Sequence, residues 1–419
     1  MKCNRNLMLL LAIILIASIF LPVTAHAESY PWDCVIVLSC DKVDYTYRLR
    51  DNLADISDWS KQSRGVYLSC RLRKQKIKQL TDNGYSLSEA VCYCLPHFID
   101  FLSIVADKVE YHPTDATVKF INGAFKYTKE KTGRCIDTDE LCNQIYLELS
   151  SDMRVALTTR ILNPTITVAI LKERTVLRSS FSTSYSSSGS SRSSNIALAT
   201  ANFASLTILP NQRVSFNQLV GERTTQRGYS VGKIIVDGKY VDGVGGGVCQ
   251  VSTTLYNALL LADIKVNSRS RHSLVSSYVD PGFDAMVSSI SDLVFTNNTQ
   301  HNVYISAQVT KDKMIVFNVY GAKLPYKVVR ESVITAKTPC KQQNIIDTQG
   351  QYINRVIYTD ESFVLSIGSD AIKSKAYLKY MDGDRLNKRV LISQDSYMST
   401  PRIVVWGAKQ RVPTQTPIK

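Results

Sequence analysis

Apolar residues in the N-terminal third of the chain first recur at helical spacing and then alternate as they do in strands. The run SLSE at residues 86–89 is typical of a capping box, in which a serine and a glutamate bond each other's backbone amides at a helix start. We expect this helix to end before Pro96 and a second helix to occupy residues 98–105. Residues 122–123 are Asn-Gly between two alternating runs, which predicts a type I′ hairpin.

The same region continues with a third helix and further strands. An acidic run from Asp137 is typical of a helix start, and apolar residues follow it at positions 141, 145 and 149. Branched apolar residues predict strands around Val155 and over residues 166–170. Together these elements predict a small α+β module over roughly residues 84–175.

The central and C-terminal regions have different patterns. Residues 179–194 contain eleven serines in sixteen positions, a composition that favours a flexible linker. A helical pattern follows over residues 195–206, and alternating runs at 303–309 and 314–319 predict a hairpin. Short alternating runs over residues 333–410 predict a separate small β domain.

One further amphipathic helix begins at a glycine-rich stretch. Residues 245–247 are glycines, Cys249 follows, and apolar residues then recur at positions 251, 255, 258, 259 and 262. We expect Cys249 in the first helical turn, where free N–H groups and the helix dipole favour a thiolate. Such a position lowers a thiol pKa from about 8.5 to roughly 3.5–7.5, and the same amides are oxyanion donors. The alternative is a buried structural cysteine, which is the more common role.

A nucleophilic cysteine needs a base, and His272 is the candidate. It lies 23 residues after Cys249, at the start of an alternating stretch that predicts a strand. A cysteine at a helix N-terminus that faces a histidine on a strand suits acyl transfer. Asp280 and Asp284 follow, and either carboxylate could orient the imidazole. The alternative for His272 is a purely structural histidine.

Composition and charge limit the partners of the chain. Its 419 residues, 44% of them hydrophobic, suit two or three globular domains, and its formal net charge of +14 predicts an anionic partner. Residues 1–27 combine basic residues, an apolar run and an Ala-His-Ala site, as in a secretory signal peptide; an uncleaved membrane anchor is the alternative. Removing them takes away two basic residues and no acidic one, which leaves +12. An exported chain of this charge would meet anionic cell-wall polymers rather than nucleic acid.

Cysteine usage leaves several arrangements open. Ten cysteines are present, and nine remain after residue 27. In an oxidising compartment eight of them could pair and leave Cys249 as the free thiol, but all nine could equally be reduced. The cysteine and histidine spacings match no standard zinc site, and the glycine stretch matches neither the dinucleotide-binding nor the P-loop pattern. We therefore predict no metal and no other cofactor.

The residues around Cys249 and His272 are similar to those of a known family. The segments GGGVCQVSTTLYNALLLADI and SRSRHSLVSSYVDPGFDAMV resemble the VanW-domain family of bacterial cell-envelope proteins. Further segments resemble the same family, namely FSTSY, RSSNIALA, VSFNQLVGERTTQRGY and SDLVFTNNT. The resemblance covers residues 176–322, and it implies that the serine-rich stretch is the start of this domain rather than a linker.

Two other segments resemble modules of wall proteins. YHPTDATVKFINGAFKYTKEKTGRCIDTDEL is similar to a peptidoglycan-binding module, which implies a wall-binding role within residues 28–175. Residues 333–410 resemble a G5-type β module, although most of its spaced glycines are absent. We therefore expect a multidomain α+β protein, with a mixed α/β catalytic domain between an N-terminal α+β module and a small C-terminal β domain.

The resemblance implies an enzyme of the cell wall. Some members of the family are regarded as L,D-transpeptidases, which join peptidoglycan stem peptides by 3→3 cross-links through a cysteine thioester. By its motif that cysteine is Cys249 here, whereas His272 as base rests on the chemistry of the residues. Asp284 is the candidate orienting group, and Asp280 is the alternative. Oxyanion or substrate contacts are expected from Arg223, Gly247, Gln250 and Ser252.

Two other functions stay open at this point. The chain could be a non-catalytic peptidoglycan-binding or scaffold protein in which Cys249 is structural, or a cysteine peptidase or amidase that cuts stem peptides. Each of these functions implies a place outside the cell, in the wall or at the outer face of the cytoplasmic membrane. The family takes its name from vancomycin-resistance gene clusters, which adds a link to antibiotic resistance.

Overall fold

The architecture comes from a computed structural model that describes residues 33–52, 68–150, 152–236 and 239–411. The predicted signal peptide at residues 1–27 lies outside these ranges. Helices and strands occupy separate stretches of the chain, and the strands form several distinct sheets. The predicted α+β class is therefore confirmed.

Contacts divide the chain into two units. The first contains the described residues up to Thr117 together with residues 128–168, and the second contains residues 118–127 and the described chain from Ala169 onward. In chain order the described elements up to residue 173 are β1 (Val35–Cys40), β2 (Val43–Arg48), α1 (Cys70–Asp82), α2 (Leu87–Cys94), α3 (Phe98–Val109), β3 (Thr117–Ile121), β4 (Ala124–Thr128), β5 (Gly133–Ile136), α4 (Thr138–Glu148), β6 (Asp152–Ala156), β7 (Thr159–Leu162) and α5 (Val168–Glu173).

The first unit is a small α+β module. Strand β1 pairs with β2 in antiparallel and with β6 in parallel orientation, and β5 pairs with β7. The capping box predicted at α2 is confirmed, because Ser86 accepts the Glu89 amide and the Glu89 carboxylate accepts the Ser86 amide. Asp137 caps α4 in a related way. The apolar faces of the helices and of β1 meet in one core that includes Leu38, Ile77, Val91, Phe98, Leu141 and Ile145.

The strand predicted over residues 166–170 is wrong. The chain forms the short helix α5 from Val168, and the Glu130 carboxylate accepts a hydrogen bond from the Val168 amide at 3.0 Å. A carboxylate that satisfies a first-turn amide stabilises a helix start, and it outweighs the strand preference of branched residues here. The strand of this region is β7, a few residues earlier.

Within the described residues no single helix is both long and apolar enough to cross a membrane. Helices α2 and α3 meet the length and composition together, but they are bent by 111° at their junction. Val91 and Phe98, one in each helix, are fully buried in the core of the first unit.

The second unit has its sheets around one central helix. Its described elements are β8 (Val176–Ser184), α6 (Ser190–Ala201), β9 (Leu206–Ile208), β10 (Arg213–Ser215), α7 (Phe216–Val220), β11 (Val231–Val236), β12 (Lys239–Val244), α8 (Val248–Leu261), β13 (Lys265–Ser268), β14 (Val294–Thr296), β15 (Val303–Val309), β16 (Met314–Gly321), β17 (Lys327–Thr338), β18 (Gln342–Ile346), β19 (Ser362–Ser366), β20 (Ala371–Asp382), β21 (Arg385–Tyr397) and β22 (Arg402–Trp406). The serine-rich stretch at 179–194 supplies the end of β8 and the start of α6, so it is part of the folded domain.

A four-stranded antiparallel sheet, in the order β8–β16–β15–β9, packs against α8. The hairpin β15–β16 was predicted from alternation and is confirmed. The type I′ hairpin β3–β4 is also confirmed, since Asn122 and Gly123 have φ of 51° and 73°. In the second unit, Phe120 of this hairpin packs its ring on Tyr304 and Tyr320.

Helix α8 is buried on nearly every side, which its amphipathic pattern does not show. The apolar stripe that includes Val251 and Leu255 lies in the core as predicted. The opposite face is polar but also buried, because its side chains hydrogen bond to other segments. Ser252 donates to the Ala285 carbonyl at 2.6 Å, and Asn257 donates to the Phe283 carbonyl at 2.8 Å. Burial of a polar side chain is tolerated when its hydrogen bonds are satisfied in this way.

The C-terminal strands form two sheets, β17–β20–β21 and β18–β22–β19. Val328, Ala376 and Leu378 of the first sheet are buried in the same apolar core as α8. The loop between β13 and β14 also contacts this sheet, since a Cβ on Gly282 would lie 2.8 Å from Ala376 Cβ. Close packing of this kind brings β20 and β21 next to residues 280–285.

Candidate active site

Cys249 is the second residue of α8, half-buried, with a free thiol. The N-cap of the helix is Gly247, whose φ of +106° disfavours any residue with a side chain. A Cβ on Gly247 would also lie 2.9 Å from Cγ1 of Ile196, so only glycine fits this turn. The turn places the thiol at the helix N-terminus, where Sγ donates a hydrogen bond to the Val287 carbonyl at 3.3 Å.

Cys249 and His272 line the same cleft and interact, since His272 lowers the pKa of the Cys249 thiol, and His272 contacts Asp284. Nδ1 of His272 lies 2.7 Å from Oδ2 of Asp284, and the His272 amide donates to the same oxygen at 2.6 Å. Because Nδ1 bonds a carboxylate, it carries the proton, and Nε2 is left for the thiol. Asp284 is 1% exposed and His272 is 4% exposed, so bulk water competes little for these bonds.

The pKa values of these three groups shift in the directions that favour their charged forms. Burial opposes ionisation of Cys249, but the hydrogen bond and positive charge of His272 lower the pKa of this thiol. Burial would lower the pKa of His272, yet hydrogen bonds to Asp284 and Cys249 raise it to about 9. Burial likewise disfavours charged Asp284, but its hydrogen bond from His272 and the charge of Arg269 bring its pKa down to about 2. The site therefore favours a thiolate beside an imidazolium.

The second predicted carboxylate, Asp280, is not part of this arrangement. It is exposed and lies 3.8 Å from the Arg330 guanidinium. The strand predicted from His272 onward is also wrong, because the chain from Arg271 to Asp292 is a loop. Its backbone bonds to the polar face of α8 instead of to a neighbouring strand, as the Ala285 amide donates to Thr253 Oγ1 at 2.9 Å.

A cleft of about 1130 Å³ opens over Cys249 and His272. Its walls come from the serine-rich stretch at 182–192, the hairpin β11–β12, and the loops that include Tyr278 and Val287. Arg192, Arg223 and Lys233 line this cleft, whereas no aspartate or glutamate is among the described lining residues. The cleft therefore suits a substrate with negative charge.

Comparisons with known proteins agree with the segments that carry this site. Residues 191–320 match the family described as "VanW like protein". We call this matched region, residues 191–320, the VanW-like domain. Residues 98–155 match the family described as "Putative peptidoglycan binding domain". The two family descriptions associate the chain with peptidoglycan and the cell envelope.

Two relatives each match about a third of the chain. The "Uncharacterized protein YoaR" of Bacillus subtilis is 42% identical over 135 residues, which are 32% of this chain and 45% of that protein. The "Vancomycin B-type resistance protein VanW" of Enterococcus faecalis is 30% identical over 149 residues, which are 33% of this chain and 54% of that protein. The chain thus spans about half the length of the curated relatives it matches.

A solved structure, "Crystal structure of HP0197-G5", aligns with 20% of this chain and 97% of its own chain, at 18% identity. The TM-score of this alignment is 0.12, which is too low to support a conclusion about the fold. The G5-type resemblance of residues 333–410 therefore stays a prediction.

The predicted substrate contacts of the VanW-like domain fall into two groups. Arg223 and Gly247 line the cleft, and the charge of Arg223 helps to lower the pKa of the Cys249 thiol. Gln250 also borders the cleft, but its amide is used internally, since it donates to Thr183 and the Ser184 carbonyl and accepts from Arg192.

Ser252 is not at the cleft, and its predicted substrate contact is not what the geometry supports. The side chain is fully buried and donates to the Ala285 carbonyl, as the polar face of α8 requires. The amide N–H of Cys249 itself has no hydrogen-bond partner among the described residues, whereas the neighbouring Val248 and Gln250 amides bond to Gly245 and Gly247 carbonyls. The Cys249 amide is thus the available oxyanion donor of the first turn.

Several residues at the site of the VanW-like domain were not predicted. Arg269 donates to Asp284 at 2.8 Å, Tyr397 donates to it at 2.6 Å, and Tyr278 lines the cleft. Arg269 lies three residues before His272, and this closeness in the chain was the one sequence signal for its place at the site. Tyr397 is distant in sequence, and no local pattern identifies it. No group of three or more His, Cys, Asp or Glu side chains that would suit a metal ion occurs in the described parts of the chain.

Proposed function

We propose that the protein is an exported peptidoglycan L,D-transpeptidase that forms 3→3 cross-links through a thioester on Cys249. The observation that carries this proposal is the contact of the Cys249 thiol with His272, whose other nitrogen bonds the buried Asp284. A thiol, a base and an orienting carboxylate in this order are the parts that nucleophilic acyl transfer needs. Their place in a VanW-like domain, behind a segment that matches a peptidoglycan-binding family, points to the wall as substrate.

In the acylation step the Cys249 thiolate attacks the carbonyl carbon of the third residue of a donor stem peptide. The Cys249 amide N–H stabilises the oxyanion that forms, with the positive charge of Arg223 nearby. The carbon–nitrogen bond to D-alanine then breaks, and the His272 imidazolium gives its proton to the leaving amine. The products of this step are the thioester and free D-alanine.

In the second step the side-chain amine of an acceptor stem attacks the thioester carbonyl. Neutral His272 takes the proton of that amine, and the Cys249 thiolate leaves as the 3→3 amide bond forms. Asp284 stabilises the imidazolium in both steps by its bond to Nδ1. The proposed reaction needs no metal or nucleotide cofactor, since thiol, base and oxyanion donor all belong to the chain.

The charge of the cleft supports a stem peptide as the ligand. Stem peptides end in a carboxylate, which a guanidinium binds by two hydrogen bonds. Arg223 lies in the cleft next to Cys249 and donates to Asn217, which keeps the guanidinium in place. The excess of basic residues in the whole chain suits anionic wall polymers in the same way.

The test is a reaction of the whole protein with disaccharide tetrapeptides, read by mass spectrometry. We expect 3→3 cross-linked dimers and free D-alanine from the parent protein, and neither product from Cys249→Ala. Cys340→Ala is the matched control, because Cys340 is also a half-buried thiol but lies outside the cleft. The proposal is wrong if Cys249→Ala forms as many dimers as the parent.

The same assay separates the two alternative functions. Release of D-alanine or of shorter peptides without dimers would show a peptidase, in which water resolves the thioester. A scaffold protein would give no product at all. In that case iodoacetamide would also label Cys249 no faster than Cys340 near neutral pH, since no activated thiolate is needed.

A further inference from the structure

We propose that the C-terminal sheet β17–β20–β21 completes the catalytic centre of the VanW-like domain. Asp395 and Tyr397, from the last strand of this sheet, act as positioning residues: they hold Arg269 and Asp284, and through them the imidazole of His272. The inference rests on the proposed function, because the position of His272 matters for chemistry only if His272 activates a nucleophile.

The strand β21 turns one face toward the loop that carries Asp284. Ser393, Asp395 and Tyr397 alternate along β21, so their side chains point to the same side of the sheet. Ser393 donates to the Gly282 carbonyl at 3.2 Å, and the Tyr397 hydroxyl accepts from the Gly282 amide at 2.7 Å. The loop is therefore bonded to the sheet through its backbone, next to the carboxylate in question.

Tyr397 bonds directly to the carboxylate of Asp284. Its hydroxyl donates to Oδ1 at 2.6 Å, and Nη2 of Arg269 donates to the same oxygen at 2.8 Å. The other oxygen, Oδ2, receives the two hydrogen bonds from His272. With two donors on each oxygen, the carboxylate has one orientation, and Oδ2 faces the imidazole.

Asp395 holds the Arg269 guanidinium from the opposite side. Nη1 of Arg269 lies 2.9 Å from Oδ1 and 2.8 Å from Oδ2 of Asp395, and Nε donates to the Asp284 carbonyl at 2.6 Å. The side chain of Arg269 is 10% exposed and that of Asp395 is 7% exposed. A buried guanidinium that bonds two carboxylates cannot move away from either without a large desolvation cost.

Together the five groups form a row of alternating charge that starts at the nucleophile. The order is thiolate Cys249, imidazolium His272, carboxylate Asp284, guanidinium Arg269 and carboxylate Asp395. The first four belong to the segment that matches the VanW family, and Asp395 lies 126 residues from Arg269 in the chain. Removing the hydrogen bonds of Asp395 or Tyr397 should therefore weaken the hydrogen bond between Asp284 and His272. The imidazolium form of His272, which stabilises the thiolate, is then less favoured.

Tyr397→Phe tests this inference, since it removes one hydroxyl and keeps the packed ring. The readout is the rate of Cys249 alkylation by iodoacetamide as a function of pH, which reports the thiolate. We expect the acid limb of the profile to move upward by about one pH unit, which makes alkylation roughly tenfold slower below the limb. The proton resonance of His272 Nδ1–H should shift in the same variant, because its bond to Asp284 is weaker.

Tyr380→Phe is the matched control on the same sheet. Tyr380 also donates its hydroxyl to a carboxylate, that of Asp263 at 2.9 Å, but neither residue bonds to the row of charges. We expect the control to keep the parent pH profile and the parent His272 resonance. An unchanged profile and resonance in Tyr397→Phe would overturn the inference and leave the hydroxyl with a structural role only.

Asp395→Asn provides a second variant in case Tyr397→Phe does not fold. It keeps the shape of the side chain but loses the charge that holds Arg269, so the His272 resonance should shift here as well. No shift in this variant would also contradict the inference. Neither readout needs peptidoglycan. If the variants show these shifts but the parent protein makes no cross-links, only the proposed function is refuted. Cross-linking with unchanged readouts would refute the inference alone.

Discussion

Cys249 combines three features that suit a nucleophile. It is in the first turn of α8, its thiol pKa is lowered by the neighbouring His272, and its own amide N–H is available to a ligand. The glycine at the N-cap is what permits the turn, because its φ is +106°. A thiol in this environment is a candidate nucleophile for physical reasons that hold whatever acyl group it receives.

The pKa directions at this residue predict a bell-shaped pH dependence of the transpeptidation rate. The acid limb follows the Cys249 thiol, whose pKa is below its ordinary value, because protonation removes the nucleophile. The basic limb follows His272, whose pKa is raised to about 9, because deprotonation removes the acid that the leaving amine needs. The rate constant for acylation, measured with excess stem peptide over a range of pH, checks both limbs.

Asp284→Asn should move the basic limb to lower pH and slow acylation by roughly 100-fold or more. The amide keeps the shape of the carboxylate but no longer stabilises the imidazolium. Asp280→Asn is the control for this change, since Asp280 is exposed and pairs with Arg330 instead. Equal effects of the two variants on the basic limb would contradict the assigned role of Asp284.

At the scale of elements, α8 positions the site through its polar face. Thr253 on this face donates to the Ala285 carbonyl at 3.3 Å and accepts from the Ala285 amide at 2.9 Å. Ala285 follows Asp284 directly, so the helix that carries the nucleophile also holds the loop that carries the carboxylate. The relative position of the two groups therefore depends on hydrogen bonds within one buried interface.

Thr253→Val should destabilise the protein by about 1–3 kcal/mol, because the buried Ala285 amide loses its acceptor. The shape of the side chain changes little, so the loss is due to the hydrogen bond rather than to packing. Urea unfolding monitored by circular dichroism measures the change in free energy. Because the loop beside Asp284 is released, acylation should slow as well.

Thr200→Val is a suitable comparison for this variant. Thr200 is equally buried, but its hydroxyl only donates to the Ile196 carbonyl within α6. The Ile196 carbonyl already lies within a helix, so losing the Thr200 hydroxyl as a second donor should cost less free energy of unfolding. A Thr253→Val protein no less stable than Thr200→Val would show that the loop is held by other contacts.

At the scale of the whole molecule, the sheet β17–β20–β21 and the VanW-like domain share one core. Leu378 and Ala376 of the sheet are in the same cluster as Leu255 of α8 and Phe283 of the loop. Arg330 of β17 also donates to Asn257 of α8 at 2.5 Å. A shared core implies that the two parts unfold together rather than as separate domains.

Leu378→Ala should lower the stability of this whole unit by about 2–5 kcal/mol, because Leu378 is 5% exposed and its loss leaves a cavity. Protection of Cys249 from alkylation in urea and hydrogen exchange of the β20 backbone amides should change at the same lowered midpoint. Leu386→Ala on the neighbouring strand is the control, since Leu386 is 48% exposed and should have little effect. Separate midpoints for the two probes would contradict a shared core.

Many local features were predictable, because they depend on residues within a few positions of each other. The capping box at Ser86, the hairpin turn at Asn122 and the stripe of α8 are examples, and the structure confirms each. The placement of Cys249 at a helix start followed from the same local physics. His272 and Asp284 were named from chemistry near Cys249 in the chain, and the structure brings them into contact, while their catalytic roles stay a prediction.

Other features depend on packing between distant segments, which residue patterns alone do not reveal. Asp280 and Asp284 were equivalent candidates in the sequence, and only the fold of the loop against α8 and β21 buries one and exposes the other. Ser252 is polar and close to Cys249 in the chain, which suggests a ligand contact. The packing of α8 instead turns its side chain into the protein interior. Tyr397 reaches Asp284 from 113 residues away, so its role arises when the C-terminal sheet joins the core. Local backbone preferences act over one or two turns, whereas hydrogen bonds between buried side chains form only where the whole chain has excluded water.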